Sequence, residues 1–262
     1  MRRLHTHRRM CLFALLAWCA SAVAAPVQVE LTGVVANAAT QTLKDHGRLS
    51  DAALAAQPLA QAYILGAAWL RPGLLESQER LKAGVLFDLD SLRQQAGQQG
   101  KPDLASLAGA MTDWIKPMPV TGRQPALLDP RAVEVNPPEN RLLADGDRLY
   151  YPLRPDAIRV VGAVQQPCTL PLVPLQDALR YLAACAATGE ADQDIIFVIE
   201  PDGHVFEQGI ALWNRSTPVT LAPGALIYVP LRARAISQVD PSFNHDLATF
   251  LATQLLPGPR AK

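Results

Sequence analysis

The sequence predicts an α+β protein built from two copies of one small unit. The first copy carries an inserted helical hairpin, and an amphipathic helix closes the chain. Three observations carry this: an internal echo of the strand that ends each copy, a matching echo of the strand that begins it, and a difference in spacing that fits the insertion.

Leu143-Ala-Asp-Gly-Asp-Arg-Leu-Tyr-Tyr-Pro-Leu153 lies over Leu221-Ala-Pro-Gly-Ala-Leu-Ile-Tyr-Val-Pro-Leu231 without a gap, and six positions coincide. At the front, Val29-Glu-Leu-Thr-Gly-Val-Val35 lies over Ile158-Arg-Val-Val-Gly-Ala-Val164. Gly33 and Gly146 are 113 residues apart, whereas Gly162 and Gly224 are 62 apart. The excess of 51 is close to the length of one helical hairpin with its flanks. Repetition of this kind changes the fold class that a sequence implies.

In chain order, residues 1–24 read as a leader peptide. Arg2, Arg3, Arg8 and Arg9 precede the apolar run Met10–Ala20, and Ala22-Val-Ala24 is a small-residue cleavage signature. The run is shorter than the roughly 20 residues a membrane span needs. Trp18 stands where a lipid-attachment signal at Cys19 wants a small residue. Cleavage after Ala24 removes four of the 24 Lys and Arg and none of the 24 Asp and Glu, leaving 20 basic and 24 acidic side chains. So slight an acidic excess gives no electrostatic footprint for nucleic acid or anionic lipid. Hydrophobic residues at 49% and charged residues at 18% suit a folded chain rather than a disordered one.

The first unit, residues 25–155, opens on Val27–Val35, whose apolar and polar residues alternate as in a strand, and Gln41–Leu43 completes a hairpin. Leu49–Ala56 reads as a short helix capped by Ser50 and ended before Pro58. Tyr63–Leu70 has strand composition. From about 74 to 116 a helical hairpin follows. Leu74, Leu81, Val85 and Leu92 share one face of its first helix. Gly97–Lys101 forms the break, and Pro102 starts a second helix with Leu104, Leu107, Ala108, Met111, Trp114 and Ile115 on one stripe. Pro117–Asn140 is proline-rich, with short strand candidates at Ala126–Leu128 and Ala132–Val135.

The second unit, residues 156–234, reads as strands Ile158–Val164 and Cys168–Leu172, helix Pro174–Ala186, strands Ile195–Glu200 and His204–Gln208 around an Asp-Gly turn, and a last strand Leu226–Leu231. Two hairpins, one helix across the sheet and a final central strand make a β-grasp arrangement. Residues 235–262 hold the terminal helix. Asp240 is its expected N-cap and Pro241 its first residue; Phe243, Leu247, Phe250, Leu251 and Leu255 form one stripe, with Asn244, His245, Thr249 and Thr253 off it.

The chemical inventory is sparse. Past the leader only His46, His204 and His245 remain, on three different elements, with His204 in a hairpin turn. No nucleophile elbow, zinc-protease, phosphate-loop or dinucleotide motif is present, so no cofactor and no metal is expected. Asp88 with Asp90, or Asp145 with Asp147, are the carboxylate pairs on which a polysaccharide-cleaving enzyme would have to rely. Cys168 and Cys185 do not have metal-site or redox-motif spacing. Two readings stay open for them: two small buried thiols, or one disulfide from the first hairpin to the end of the following helix.

The two Gly-Val or Gly-Ala-Val openings with Gly-led closing strands resemble the SLBB-type β-grasp domains of polysaccharide export proteins. Together with the leader, the hairpin insertion, the Thr121-Gly-Arg123 turn and the terminal helix, they make the chain similar to the GfcC-type capsule-biosynthesis family. The resemblance implies a periplasmic, non-enzymatic accessory protein of capsule or exopolysaccharide assembly, with polysaccharide or the export machinery as partner. The competing class is a periplasmic enzyme that modifies the polysaccharide through a carboxylate pair. The terminal helix is short and followed by Pro257-Gly258-Pro259, which argues against a pore formed by this chain itself.

Within this resemblance two places invite a local function. Arg123, in a Gly- and Pro-rich connection, either presents its planar fork to an acidic sugar or pins the segment by bonding backbone carbonyls. The stripe Phe243, Leu247, Phe250 and Leu251 either packs on the chain's own sheets or docks on a partner or a membrane surface.

Overall fold

The computed structural model describes residues 26–44 and 46–257; the expected leader, residues 1–24, lies outside the described residues. The protein is α+β, with two five-stranded mixed sheets. The first contains β1 (Val27–Gly33), β2 (Thr40–Leu43), β3 (Ala68–Leu70), β4 (Arg123–Gln124) and β5 (Asp147–Tyr151), in the order β2-β1-β5-β3-β4. The second contains β6 (Ala157–Gly162), β7 (Cys168–Pro171), β8 (Ile195–Ile199), β9 (Val205–Gly209) and β10 (Leu226–Val229), in the order β7-β6-β10-β8-β9. In each sheet the first and last strands lie side by side and parallel, and every other pairing is antiparallel.

The echo in the sequence is a register in the structure. Gly33 pairs with Tyr151 across β1 and β5, and Gly162 pairs with Val229 across β6 and β10, the same positions that the sequence overlay superposes. Both glycines have positive φ, +90° and +98°. A Cβ at Gly33 would stand 2.1 Å from the Tyr151 carbonyl oxygen, and one at Gly162 would stand 2.3 Å from that of Val229. Only glycine meets both demands, which is why it survives in each copy.

The helices follow from their caps and apolar faces, with some displacement from the expected ends. In α1 (Leu49–Ala56) Arg48, not Ser50, occupies the N-cap position, and its N–H donates to the Asp51 carboxylate at 2.8 Å. Ser50 instead exchanges hydrogen bonds with the Asn140 side chain, tying the helix to the proline-rich segment. Tyr63–Leu70 divides into a 3-10 turn at Ile64–Gly66, where the Gly66 N–H donates back to the Tyr63 carbonyl at 3.1 Å and the Ala67 N–H to that of Ile64 at 3.0 Å, and the short β3. The hairpin consists of α2 (Leu75–Gln98) and α3 (Pro102–Ile115).

Two strands expected in the proline-rich segment do not form. Pro125 follows the two-residue β4 and lacks an N–H for further pairing. Ala132–Val135 lies mostly in a helix, α4 (Pro130–Glu134), because the Asp129 carboxylate accepts the Arg131 and Ala132 N–H groups at 2.9 Å and Pro130 is preset for a first turn. In the second unit α5 (Ala178–Ala183) begins later than expected, since Asp177 caps it through the Arg180 N–H at 3.0 Å. The basic connection holds a short helix, α6 (Ala233–Ile236), and α7 (Phe243–Ala252) starts two residues beyond Pro241 because Asp240 accepts the Ser242 N–H first.

There are two cores. One joins the first sheet to α1 and α4 through Val29, Leu31, Leu49, Trp69, Val133 and Tyr151. The other joins the second sheet to α5, α7 and also to the hairpin, whose Val85, Leu89, Leu104, Met111 and Ile115 are buried there. The insertion thus leaves its own unit and packs on the next one. Each fully buried Leu, Ile, Val or Met on that face contributes roughly 1.5–3 kcal/mol, so the hairpin fastens the two units to each other.

Candidate functional site

The first unit, the second unit and the chain end converge at Arg123. Gly122 lets the chain reach that point. Its φ is +71°, and a Cβ there would sit 2.4 Å from the Arg71 carbonyl oxygen. The Arg71 N–H donates to the Gly122 carbonyl at 2.9 Å, so the turn is fused to the end of β3. Gln78, buried on the inner face of α2, accepts from the Gly122 N–H at 2.8 Å and donates to the Arg123 carbonyl at 2.9 Å. The hairpin therefore holds both sides of the residue it precedes.

The Arg123 side chain is turned inward, 5% exposed. One terminal nitrogen donates to the carbonyls of Ala252 at 3.3 Å and Gln254 at 3.0 Å; the other donates to the carbonyl of Pro201. The first two belong to the C-terminal end of α7, where orphan carbonyls and the helix dipole both favour a cation. The third lies in the turn between β8 and β9. Burial draws the guanidinium pKa down to about 10, opposed by the nearby Asp202 carboxylate. A fork committed to three main-chain carbonyls is not displayed to a sugar carboxylate; of the two readings of Arg123, ligand fork or pin, this geometry is that of the pin.

Of the two readings of the α7 stripe, self-packing or docking, the burial fits self-packing. Phe243, Leu247, Phe250 and Leu251 are all buried, in the core shared with the second sheet and the hairpin, and no partner or membrane surface can reach them in this conformation. Asn244, expected off the stripe, is buried as well. Its side-chain oxygen accepts from the Tyr228 hydroxyl and the Leu231 N–H, and its amide donates to the Leu231 carbonyl at 2.7 Å. Cys168 and Cys185 are joined by a disulfide that ties the start of β7 to the residues just after α5.

Between the Pro125–Asp129 segment that follows Arg123 and the turn between β8 and β9 lies a cavity of about 670 Å³. Ile64 and Leu65, the segment Pro125–Asp129, Pro138, Glu139 and Arg141 of the first unit line one side, and Asp202 and His204 of the second unit line the other. Its carboxylates are partly spent. Asp129 caps α4, and Asp202 accepts the His204 N–H at 2.9 Å and sits 3.1 Å from the imidazole. The Arg141 guanidinium donates to the Pro125 carbonyl and lies over the Trp69 ring at 5.0 Å.

Behind the cavity, the same junction places a second set of polar groups under cover. Glu200 accepts the Ala222 N–H at 3.2 Å with one oxygen and leaves the other buried without a partner, and burial pushes its carboxyl up to about 7. The Tyr63 hydroxyl is likewise buried without a partner and pushed up to about 12.

Neither carboxylate pair expected from the sequence forms a working pair. Asp88 and Asp90 are two apart on α2 and so point in divergent directions, and Asp90 is engaged by Arg93 and Gln94. Asp145 accepts the Gln28 N–H, while Asp147 is fully buried and accepts from Trp69 and the Ala144 N–H at 2.9 Å. Among the described residues no three His, Cys, Asp or Glu side chains are grouped to hold a metal ion, and no helix is long and apolar enough to cross a membrane.

Gln78 and Glu200 were not singled out from the sequence. Gln78 had a signal: it lies seven residues before Val85 on the buried face of α2, a polar side chain in an apolar row. Glu200 had none: it reads as the end of a strand before a hairpin turn, and the N–H its carboxylate accepts, that of Ala222, lies 22 residues on.

Residues 25–155 match the family model described as Capsule biosynthesis GfcC, N-terminal, and residues 166–256 match that described as Capsule biosynthesis GfcC C-terminal. An Escherichia coli K12 protein, described as the uncharacterized protein YjbG, is 30% identical over 189 residues, spanning 71% of this chain and 76% of that protein. With both halves matched in order along the chain that carries the duplicated sheet and the Arg123 junction, the protein belongs to the GfcC capsule-biosynthesis family.

Proposed function

We propose that the protein is a non-enzymatic accessory component of capsule or exopolysaccharide assembly, acting in the periplasm by binding glycan or a component of the export machinery. The observation that carries the reading is the match of both halves to capsule-biosynthesis family models. The leader read in residues 1–24 and the disulfide suit an oxidising compartment. A binding role rather than a catalytic one is supported by the carboxylates, most of which are spent on caps, turns and buried anchors. We also assign each half to the SLBB-like β-grasp class, on the strength of two parallel central strands, flanking antiparallel hairpins and a strand order common to both halves. In that reading the two units are a rigid platform, locked by the hairpin and Arg123.

The test is deletion of the coding sequence, with surface polysaccharide measured chemically and by microscopy. Output falls in the deletion strain and returns when the full chain is restored. Unchanged surface polysaccharide in the deletion strain overturns the reading.

A further inference from the structure

A second cleft, about 450 Å³, runs between α3 and the turn that joins β6 to β7. This volume is within the roughly 300–1,000 Å³ typical of small-molecule sites. The half-buried Trp114 of α3, flanked by Leu107 and Met111, gives it an apolar wall. Across from them stand the polar Gln165, Thr188 and Glu190 of the second unit. Asp103 lies at the start of α3, on the same rim.

Two features set this cleft apart from an ordinary packing gap. The carboxylates of Asp103, which is exposed, and Glu190, which is half-buried, take part in no hydrogen bond or ion pair among the described residues, so both are free to accept from a ligand in the cleft. The wall that carries Gln165 and Glu190 is also fixed. Val164 pairs with Ala187, the Gln165 N–H donates to the Ala186 carbonyl at 2.8 Å, the Thr188 N–H donates to the Ala163 carbonyl at 2.9 Å, and the Cys168–Cys185 disulfide staples the flanks of both loops.

We propose that this cleft binds an uncharged hexopyranose segment of a glycan, stacked on Trp114; the proposal rests on the glycan-binding reading above and gives it a site and a sugar class. The flat apolar face of an indole covers the C–H face of a pyranose ring, at low entropic cost because few side-chain torsions are fixed. The ring hydroxyls then point to the rim, where two unpaired carboxylates accept charge-assisted hydrogen bonds. Among the described residues no Lys or Arg lines the cleft. A uronic acid or phosphorylated sugar would therefore place its charge beside two carboxylates with nothing to neutralise it, which excludes the acidic sugars once matched to Arg123.

The probes are neutral gluco-, galacto- and manno-oligosaccharides of six residues, with an oligogalacturonate of equal length as the charged control. Binding is read by calorimetry and by shielding of tryptophan fluorescence from iodide. We expect at least one neutral oligosaccharide to bind and the oligogalacturonate not to. Trp114→Ala weakens binding at least tenfold, Trp114→Phe restores part of it, and Glu190→Gln, a change of charge on a loop side chain, weakens it severalfold with an unaltered melting curve. Binding of no neutral probe, equal binding by Trp114→Ala, or preferential binding of the oligogalacturonate overturns the proposal. Restoring the full chain to the deletion strain separates the two levels. If it recovers surface polysaccharide while the cleft fails these tests, the site is wrong and the accessory role stands; if deletion has no phenotype, the role itself fails.

Discussion

Replacing Arg123 with methionine tests the pin. The substitution keeps most of the apolar volume and removes the guanidinium. Of the three carbonyls it serves, those of Ala252 and Pro201 belong to buried residues, whereas Gln254 is partly exposed and regains a water. Two orphaned buried acceptors at roughly 1–3 kcal/mol each give a loss of about 2–6 kcal/mol, centred near 4. For a chain of this size the central value corresponds to a drop of roughly 8–16 °C in melting temperature, and the full range to about 4–24 °C. Arg123→Lys keeps the charge but reaches one carbonyl instead of three, so it falls in between. Thermal melts followed by circular dichroism measure both, and hydrogen exchange locates the effect: the last turn of α7 should lose protection before the sheets do. A methionine variant that melts within about 2 °C of the parent, with unchanged exchange at the end of α7, refutes the pin.

Two further predictions follow from buried chemistry elsewhere. The disulfide closes a separation of 17 residues, which by the chain-entropy relation stabilises by about 3 kcal/mol. Reduction, or Cys168→Ala with Cys185→Ala, should shift the urea midpoint down accordingly, and intact protein should weigh two hydrogens less than the dithiol; a midpoint that ignores reductant contradicts this. Glu200, raised from 4.5 to about 7, keeps its proton in the folded chain over a range where the unfolded chain has released it. Stability should therefore decline as pH rises from about 4.5 to 7 and level off above. Glu200→Gln should remove that part of the slope, seen by comparing urea midpoints at pH 5 and pH 8, and an unchanged slope would assign it to other groups.

How much of this was legible in the sequence depended on the range of the interaction. The duplicated strands were legible because glycine at Gly33 and Gly162 answers a local steric demand, the carbonyl of the parallel neighbour, and leaves the same mark in both copies. The hairpin was legible because its apolar spacing is itself a local pattern. Helix ends were misplaced wherever two capping residues competed, as Arg48 with Ser50 and Ser242 with Asp240 did. The inward turn of Arg123 was beyond reach. Its partners, Pro201, Ala252 and Gln254, lie 78 to 131 residues away, and nothing nearby in sequence tells a guanidinium whether it will meet a carboxylate or a carbonyl.

The same distance dependence explains how the chain's two halves are joined although each has its own sheet. A duplicated unit without the insertion would leave two small sheets joined by a short connection near Arg154 and Pro155. The hairpin changes this by burying its apolar face in the other unit's core, where it also covers α7. The terminal stripe looks fit for docking only while the hairpin is ignored. Once the hairpin is placed, the stripe is interior, and freeing it would expose Phe243, Leu247 and Phe250 together with the inner faces of α2 and α3, at a cost of several buried side chains of roughly 1.5–3 kcal/mol each. Two cavities stay open with the hairpin in place: the one between the Pro125–Asp129 segment and the turn holding Asp202 and His204, and the cleft under Trp114 where the hairpin meets the disulfide-stapled loops.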